Sequence, residues 1–161
     1  MAEKESVSFR KILLPLDGSA LGEAALPYVA ELATVTGAEV ILFQVVTLHH
    51  DIALADSYSS NLGRISEDYT TRAVASANQY LDQVRERLTG RGIAVRSEVE
   101  VGFPAERLIA YARDNDIDVI AMSTHGRSGV GRWLLGSVAD KVLHAANKPV
   151  LLVRASEKGS E

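Results

Sequence analysis

The chain is dominated by an alternation of short apolar runs with longer amphipathic segments. Lys11–Asp17 (KILLPLD), Glu39–Val46 (EVILFQVV), Ala94–Val101, Val119–Met122 and Val150–Val153 each read as a strand. Most are unbroken apolar stretches, which suit strands covered on both faces, as in a parallel sheet. Between them, apolar residues recur at helical spacing over Ala20–Thr36, Ser66–Thr89, Pro104–Asn115 and Ser137–Ala146. Strand and helix therefore alternate from end to end. That pattern predicts an α/β fold: a single-domain, doubly wound, parallel five-stranded sheet with helices on both faces. Strand order is not readable from the sequence. In such sheets ligands lie beyond the carboxyl ends of the strands, where the strand order reverses.

Local signals set the boundaries. Pro15 has no N–H and belongs at the end of the first strand. Asp17-Gly18-Ser19 makes a turn in which Asp17 or Ser19 caps the next helix. Pro27 requires either a kink in that helix or an irregular first turn, and Gly37 stops it. The buried stripe there is expected at Ala24, Ala25, Tyr28, Val29, Leu32 and Ala33. Thr47–Gly63 reads as a crossover loop. The following helix carries Tyr69, Ala73, Ala77, Tyr80, Val84 and Leu88 in a near i+4 stripe, and Gly90 and Gly92 end it. Ala94–Val101 alternates and reads as a less buried strand. Pro104 suits a first helical turn.

At 161 residues with 47% hydrophobic and 24% charged content, the chain fits one globular domain. That domain is expected over residues 9–154, with flexible polar termini at 1–8 and 155–161. A net charge of −4, with Lys and Arg scattered, excludes a nucleic-acid footprint. The absence of cysteine removes disulfides and cysteine-ligated zinc. No apolar leader or membrane-length run is present, so the expected location is cytoplasmic, with no membrane partner. His49-His50-Asp51 has metal-binding residue types, but adjacent loop histidines seldom converge on one ion, and no metal is expected.

The chemistry concentrates after the fourth strand. Ser123-Thr124-His125-Gly126-Arg127-Ser128-Gly129-Val130-Gly131 is a glycine-rich stretch, and Gly136-Ser137 then opens a helix. Glycines let backbone N–H groups approach an anion, and a helix start presents unpaired N–H groups with partial positive charge. The same residues also fit an ordinary glycine loop with Ser137 as an N-cap. Neither a Walker A loop nor a dinucleotide fingerprint is present. One helix terminus contributes about 0.3–1 kcal/mol to anion binding. Micromolar affinity needs about 8 kcal/mol, so most of the binding must come from elsewhere.

Gly126-x9-Gly136-Ser137, together with Pro15-x-Asp17, resembles the nucleotide motif of the universal stress protein family, ATP-binding type. The resemblance covers nearly the whole chain and implies strand order 3-2-1-4-5, in the adenine-nucleotide alpha-hydrolase-like arrangement. It implies an adenine nucleotide, ATP or AMP, with or without Mg2+. The implied contacts are Pro15, Leu16, Asp17, Val45, Met122, Ser123, Gly126, Gly136, Ser137, Val138 and Ala139. Val45 would offer backbone hydrogen bonds to the adenine edge and Asp17 would take a ribose hydroxyl. His125, Arg127 and Gly129 of the loop join them as candidates facing phosphate; His125 and Arg127 also fit loop support and solvated surface, respectively. Ser123 stands where the family has its first glycine. Serine is small but strained at positive φ, so a mild weakening is expected.

The resemblance further implies a homodimer through Val150–Val153, an apolar edge that invites pairing. The implied role is a nucleotide-dependent stress-response regulator. A slow ATP hydrolase or phosphotransferase and a nucleotide-free structural dimer stand as alternatives. No Gly-x-Ser-x-Gly elbow and no outstanding carboxylate pair is present, so no catalytic residue is assigned.

Overall fold

The computed structural model describes residues 8–47, 60–125 and 135–155, the side chains of 60–66 excepted. His49, His50, Asp51, Gly126, Arg127, Gly129 and most of both polar termini lie outside the described residues. The strands are β1 (Lys11–Pro15), β2 (Glu39–Val46), β3 (Val95–Val101), β4 (Val119–Ser123) and β5 (Val150–Val153). The helices are α1 (Leu26–Thr36), α2 (Ser60–Thr89), α3 (Pro104–Asp114) and α4 (Ser137–Ala145). The five strands form one parallel sheet in the order β3-β2-β1-β4-β5, as the resemblance implied.

Alternation along the strands splits the core into two layers. Ile12, Leu14, Val40 and Leu42 pack with Val29 and Ala33 of α1 and with Leu81, Val84 and Leu88 of α2. Leu13, Ile41, Phe43, Ile120 and Met122 pack with Leu108 and Ala112 of α3 and with Ala139 and Val142 of α4. Each large aliphatic or aromatic side chain buried in this way stabilises the fold by about 1.5–3 kcal/mol relative to exposure. At the amino end of the sheet, the Asp118 carboxylate accepts the N–H groups of Arg10 (2.8 Å) and Lys11 (2.9 Å), and Asp118 N–H donates to the Lys11 carbonyl (3.1 Å). These bonds tie β1 to the turn before β4.

Several boundaries differ from the sequence reading, each for a local reason. β1 ends at Pro15, although Leu16 N–H still donates to the Phe43 carbonyl at 2.8 Å. The helix expected from Ala20 is two pieces, a 3-10 turn at Gly22–Ala25 and then α1, with Pro27 in the first turn of α1 where its missing N–H costs nothing. Restarting there rotates the buried face: Tyr28 is exposed and Ala30 is buried. α2 begins at Ser60, inside the expected crossover loop, because Ser60-Asn61-Leu62-Gly63 contains weak helix formers that mask the start. Tyr69 lies half-exposed rather than in the core stripe, and the buried Leu81 takes a place the stripe omitted. β4 runs one residue further than expected, to Ser123, and Gly136 rather than Ser137 is the N-cap of α4.

Candidate functional site

The sheet opens at its carboxyl end between β1 and β4, where the strand order reverses. Pro15 explains the opening. Because Leu16 donates to β2, the alternation of a strand turns Pro15 toward β4, and Pro15 has no N–H to give. The β1–β4 register stops at Leu13↔Ile120, whereas β1–β2 runs on to Pro15↔Phe43 and β4–β5 runs to Ser123↔Val153. The result is a cavity of about 650 Å³ lined by the ends of β1, β2 and β4 and the residues just after them, and by α2, α3 and α4.

One lip is the turn after β1. Asp17 Oδ1 accepts both the Ser19 N–H (3.0 Å) and the Ser19 hydroxyl (2.6 Å), and Ser19 Oγ accepts the Gly22 N–H (3.0 Å). The helix-capping role expected of Asp17 or Ser19 falls to neither. Leu21 precedes the 3-10 turn and Ala25 precedes α1, both without a side-chain cap bond, and Asp17 and Ser19 instead hold the turn that leads to Gly22. Asp17 remains part of the cavity wall while it holds the turn. Gly22 lies directly against the Asp17 carboxylate, where a Cβ would collide with Oδ1.

The floor is the end of β2. Phe43 carbonyl bonds Leu16 and Val46 carbonyl bonds Gly102 N–H (3.0 Å), so the strand's alternation aims the Val45 N–H and C=O toward the β1 side, beyond the last paired residue of β1. The Val45 side chain packs on the α3–α4 layer with Met122 and Val138.

The second lip is β4 and the start of α4. Ser123 is buried in the strand, and its hydroxyl donates to the His125 carbonyl at 2.6 Å. Asp116 is the one described non-glycine residue at positive φ, so Ser123 carries none of the backbone strain that a glycine replacement was expected to impose. Thr124 N–H donates to Val153 (2.9 Å) and the Thr124 carbonyl accepts Gly136 N–H (2.8 Å), which brings the start of α4 against the end of β4. Gly136 has ordinary helix-entry dihedrals; what requires glycine is closeness, since a Cβ would lie 3.1 Å from the Thr124 carbonyl oxygen. The first helical bond is Asp140 N–H to the Gly136 carbonyl (2.9 Å), so the N–H groups of Ser137, Val138 and Ala139 have no intrahelical acceptor. His125 Nδ1 lies 3.1 Å from Thr124 Oγ1, and its Nε2 is buried without a partner among the described residues.

Pro15, Leu16, Asp17, Val45, Met122, Ser123, His125, Gly136, Ser137, Val138 and Ala139 therefore all line one cavity. Sequence reasoning missed the α2 wall, including Tyr80, and the buried Gln44 of β2. Gln44 had a legible signal, being the lone uncharged polar residue in EVILFQVV. Tyr80 donates its hydroxyl to Glu23 Oε1 (2.9 Å), and Arg87 donates to Glu23 Oε2 (2.8 Å), clasping α2 to the 3-10 turn. Burial, then the Glu23 hydrogen bond, pushes the Tyr80 hydroxyl well above its usual pKa. Among the described lining residues Asp17 is the only carboxylate, and there is no Lys or Arg. The described residues contain no group of three or more His, Asp or Glu able to hold a metal, and no helix long and apolar enough to cross a membrane.

These features define a doubly wound α/β protein with a ligand-sized crevice at its topological switch point. The chain belongs to the universal stress protein family, whose profile matches residues 8–154. Universal stress protein MJ0577 of Methanocaldococcus jannaschii is 32% identical over 158 residues, covering 92% of this chain and 97% of that protein. The solved structure of MJ0577 superposes with a TM-score of 0.81 at 29% identity, covering 95% of this chain and 100% of that one. A universal stress protein family member from Arabidopsis thaliana, solved with AMP bound, gives a TM-score of 0.64 over 91% of this chain and 92% of that chain. At 14% identity, that last likeness is one of fold.

Proposed function

We propose that this chain binds an adenine nucleotide, ATP or AMP, in the β1–β4 crevice and acts as a nucleotide-dependent stress-response regulator. The observation that carries this reading is the meeting in one cavity of Pro15-x-Asp17, the outward-facing backbone of Val45 and the Gly136-Ser137 helix start. The parts divide the ligand by chemistry. The Val45 N–H and C=O suit the edge of a base, with Met122 and Val138 as its apolar bed. Asp17 accepts from a ribose hydroxyl. The N–H groups of Ser137, Val138 and Ala139, which have no intrahelical acceptor, receive phosphate, joined from the glycine stretch by Gly126, Arg127 and Gly129. His125, at the head of that stretch, offers its buried Nε2. Mg2+ arrives, in this reading, on the phosphates of ATP. A relative of the same fold solved with AMP adds support at the level of ligand class.

The reading includes a homodimer formed through β5, the sheet edge beyond β4, where Leu151 is exposed. An exposed apolar edge strand is a template for pairing with a second copy.

The test is to denature purified protein, identify released nucleotide by mass spectrometry, and titrate the stripped protein with ATP. Stoichiometric ATP or AMP, or micromolar uptake, is expected. A protein that emerges empty and ignores added ATP contradicts the reading and leaves a nucleotide-free structural dimer. Following the bound ligand over time separates retention of ATP from slow hydrolysis.

A further inference from the structure

The cavity does not stop at the crevice between β1 and β4. It continues toward α2, where Ala73 and Ala77 leave space above the end of β2. Val40 and Leu42 pack toward α1 and α2, so strand alternation sends Gln44 to that same side, opposite to Val45. Gln44 is 8% exposed, lines the cavity, and has its Oε1 buried without a hydrogen-bond partner among the described residues. Buried polar groups are rarely left in this state, because an unmade hydrogen bond forfeits the hydration it replaced. A side-chain amide presents a donor and an acceptor side by side, and its two ends exchange by rotation.

We propose that Gln44 selects the base of the bound nucleotide, its amide pairing with the exocyclic amine and neighbouring ring nitrogen of adenine. The inference rests on the nucleotide reading above and deepens it. Adenine offers a donor beside an acceptor along one edge, the complement of a glutamine amide. Guanine offers two acceptors along that edge and leaves the amide carbonyl facing oxygen. Val45, the next residue along β2, supplies backbone groups to the base from the crevice side, so one strand end grips it twice. The absence of Lys and Arg from the described walls fits a neutral base here, with phosphate held at α4.

The experiment titrates wild-type protein, Gln44→Met and Gln44→Leu with ATP and with GTP, and records thermal melting of each. Wild type is expected to prefer ATP. Both variants are expected to lose about 5- to 100-fold in ATP affinity and less in GTP affinity, so the ATP/GTP ratio collapses. Their melting temperatures should hold or rise, since an apolar side chain removes the unpaired carbonyl. A wild-type protein that binds ATP while both variants keep its ATP/GTP ratio overturns this inference and leaves the nucleotide reading standing. Equal wild-type affinity for ATP and GTP overturns it too. A wild-type protein that takes up neither nucleotide overturns both.

Discussion

Gly22 abuts the carboxylate of Asp17 so closely that no other residue fits at position 22 without moving it. The contact couples a helix-entry turn to the ligand crevice, because the same carboxylate holds Ser19 and lines the cavity. Gly22 is not among the glycines with positive φ, so alanine meets no backbone penalty there and gains slightly in helical propensity. Gly22→Ala should therefore leave the melting temperature within a few degrees of wild type while displacing Asp17. Loss of one hydrogen bond to a ribose hydroxyl corresponds to about 0.5–1.5 kcal/mol, or roughly 2- to 13-fold in affinity for ATP. Isothermal titration reads this directly, and unchanged affinity would remove Asp17 from the site.

Gly136 makes the equivalent approach on the other lip. Its Cβ would sit 3.1 Å from the Thr124 carbonyl oxygen, which also accepts the Gly136 N–H. Alanine requires a shift of a few tenths of an ångström; valine requires β4 and α4 to part. Overpacking of this kind costs about 1–3 kcal/mol of stability, so Gly136→Val should melt lower than wild type. Its nucleotide affinity should fall further than that of Gly136→Ala. A pair of variants with identical affinities would show that the β4–α4 distance does not matter to the ligand.

The Tyr80 hydroxyl gives the protein a pH dependence on the alkaline side. Its pKa is raised in the folded protein by burial and then by the bond to Glu23. Its unfolded value is about 10. Below that pH both states keep the proton and the contribution is fully present. As pH rises above about 10 the unfolded chain loses the proton first, so fewer protons are bound in the unfolded state and stability falls. Tyr80→Phe removes the titrating group. Denaturant unfolding at pH 8 should show it less stable than wild type by about 0.5–1.5 kcal/mol. Between pH 10 and 11 its stability should decline less steeply, a difference that equal slopes would contradict.

The two layers and the place of each strand were legible because they follow from period and from proline and glycine, although β1, β3 and β4 differ from the sequence reading by one or two residues at an end. EVILFQVV reads as a buried strand without help, and Val150–Val153 lies where the apolar run places it. What the sequence hides is set by approach in space. That Gly22 matters through Asp17, and Gly136 through Thr124, depends on pairs distant in chain or bent together by a turn. Tyr80 falls on the predicted stripe of its helix, yet nothing in that stripe says that its hydroxyl reaches Glu23, 57 residues earlier. Ser123 illustrates the opposite error: its identity predicts strain, while its place at the end of β4 imposes none.

The β5 edge admits a clean test because its side chains alternate. Val150 and Leu152 pack partly against the α3–α4 layer, whereas Leu151 projects to the other side and is 37% exposed. A charge at Leu152 would disturb the core as well as any interface, so Leu151 is the better probe. Lysine on an edge strand opposes pairing with a second copy, since the charge must be desolvated beside its symmetry mate. Leu151→Lys should keep the wild-type circular dichroism and melting behaviour at low concentration. Sedimentation velocity should show monomer where wild type shows dimer. A variant that still sediments as a dimer would place the contact between copies elsewhere, and a monomeric wild type would dispose of the dimer itself.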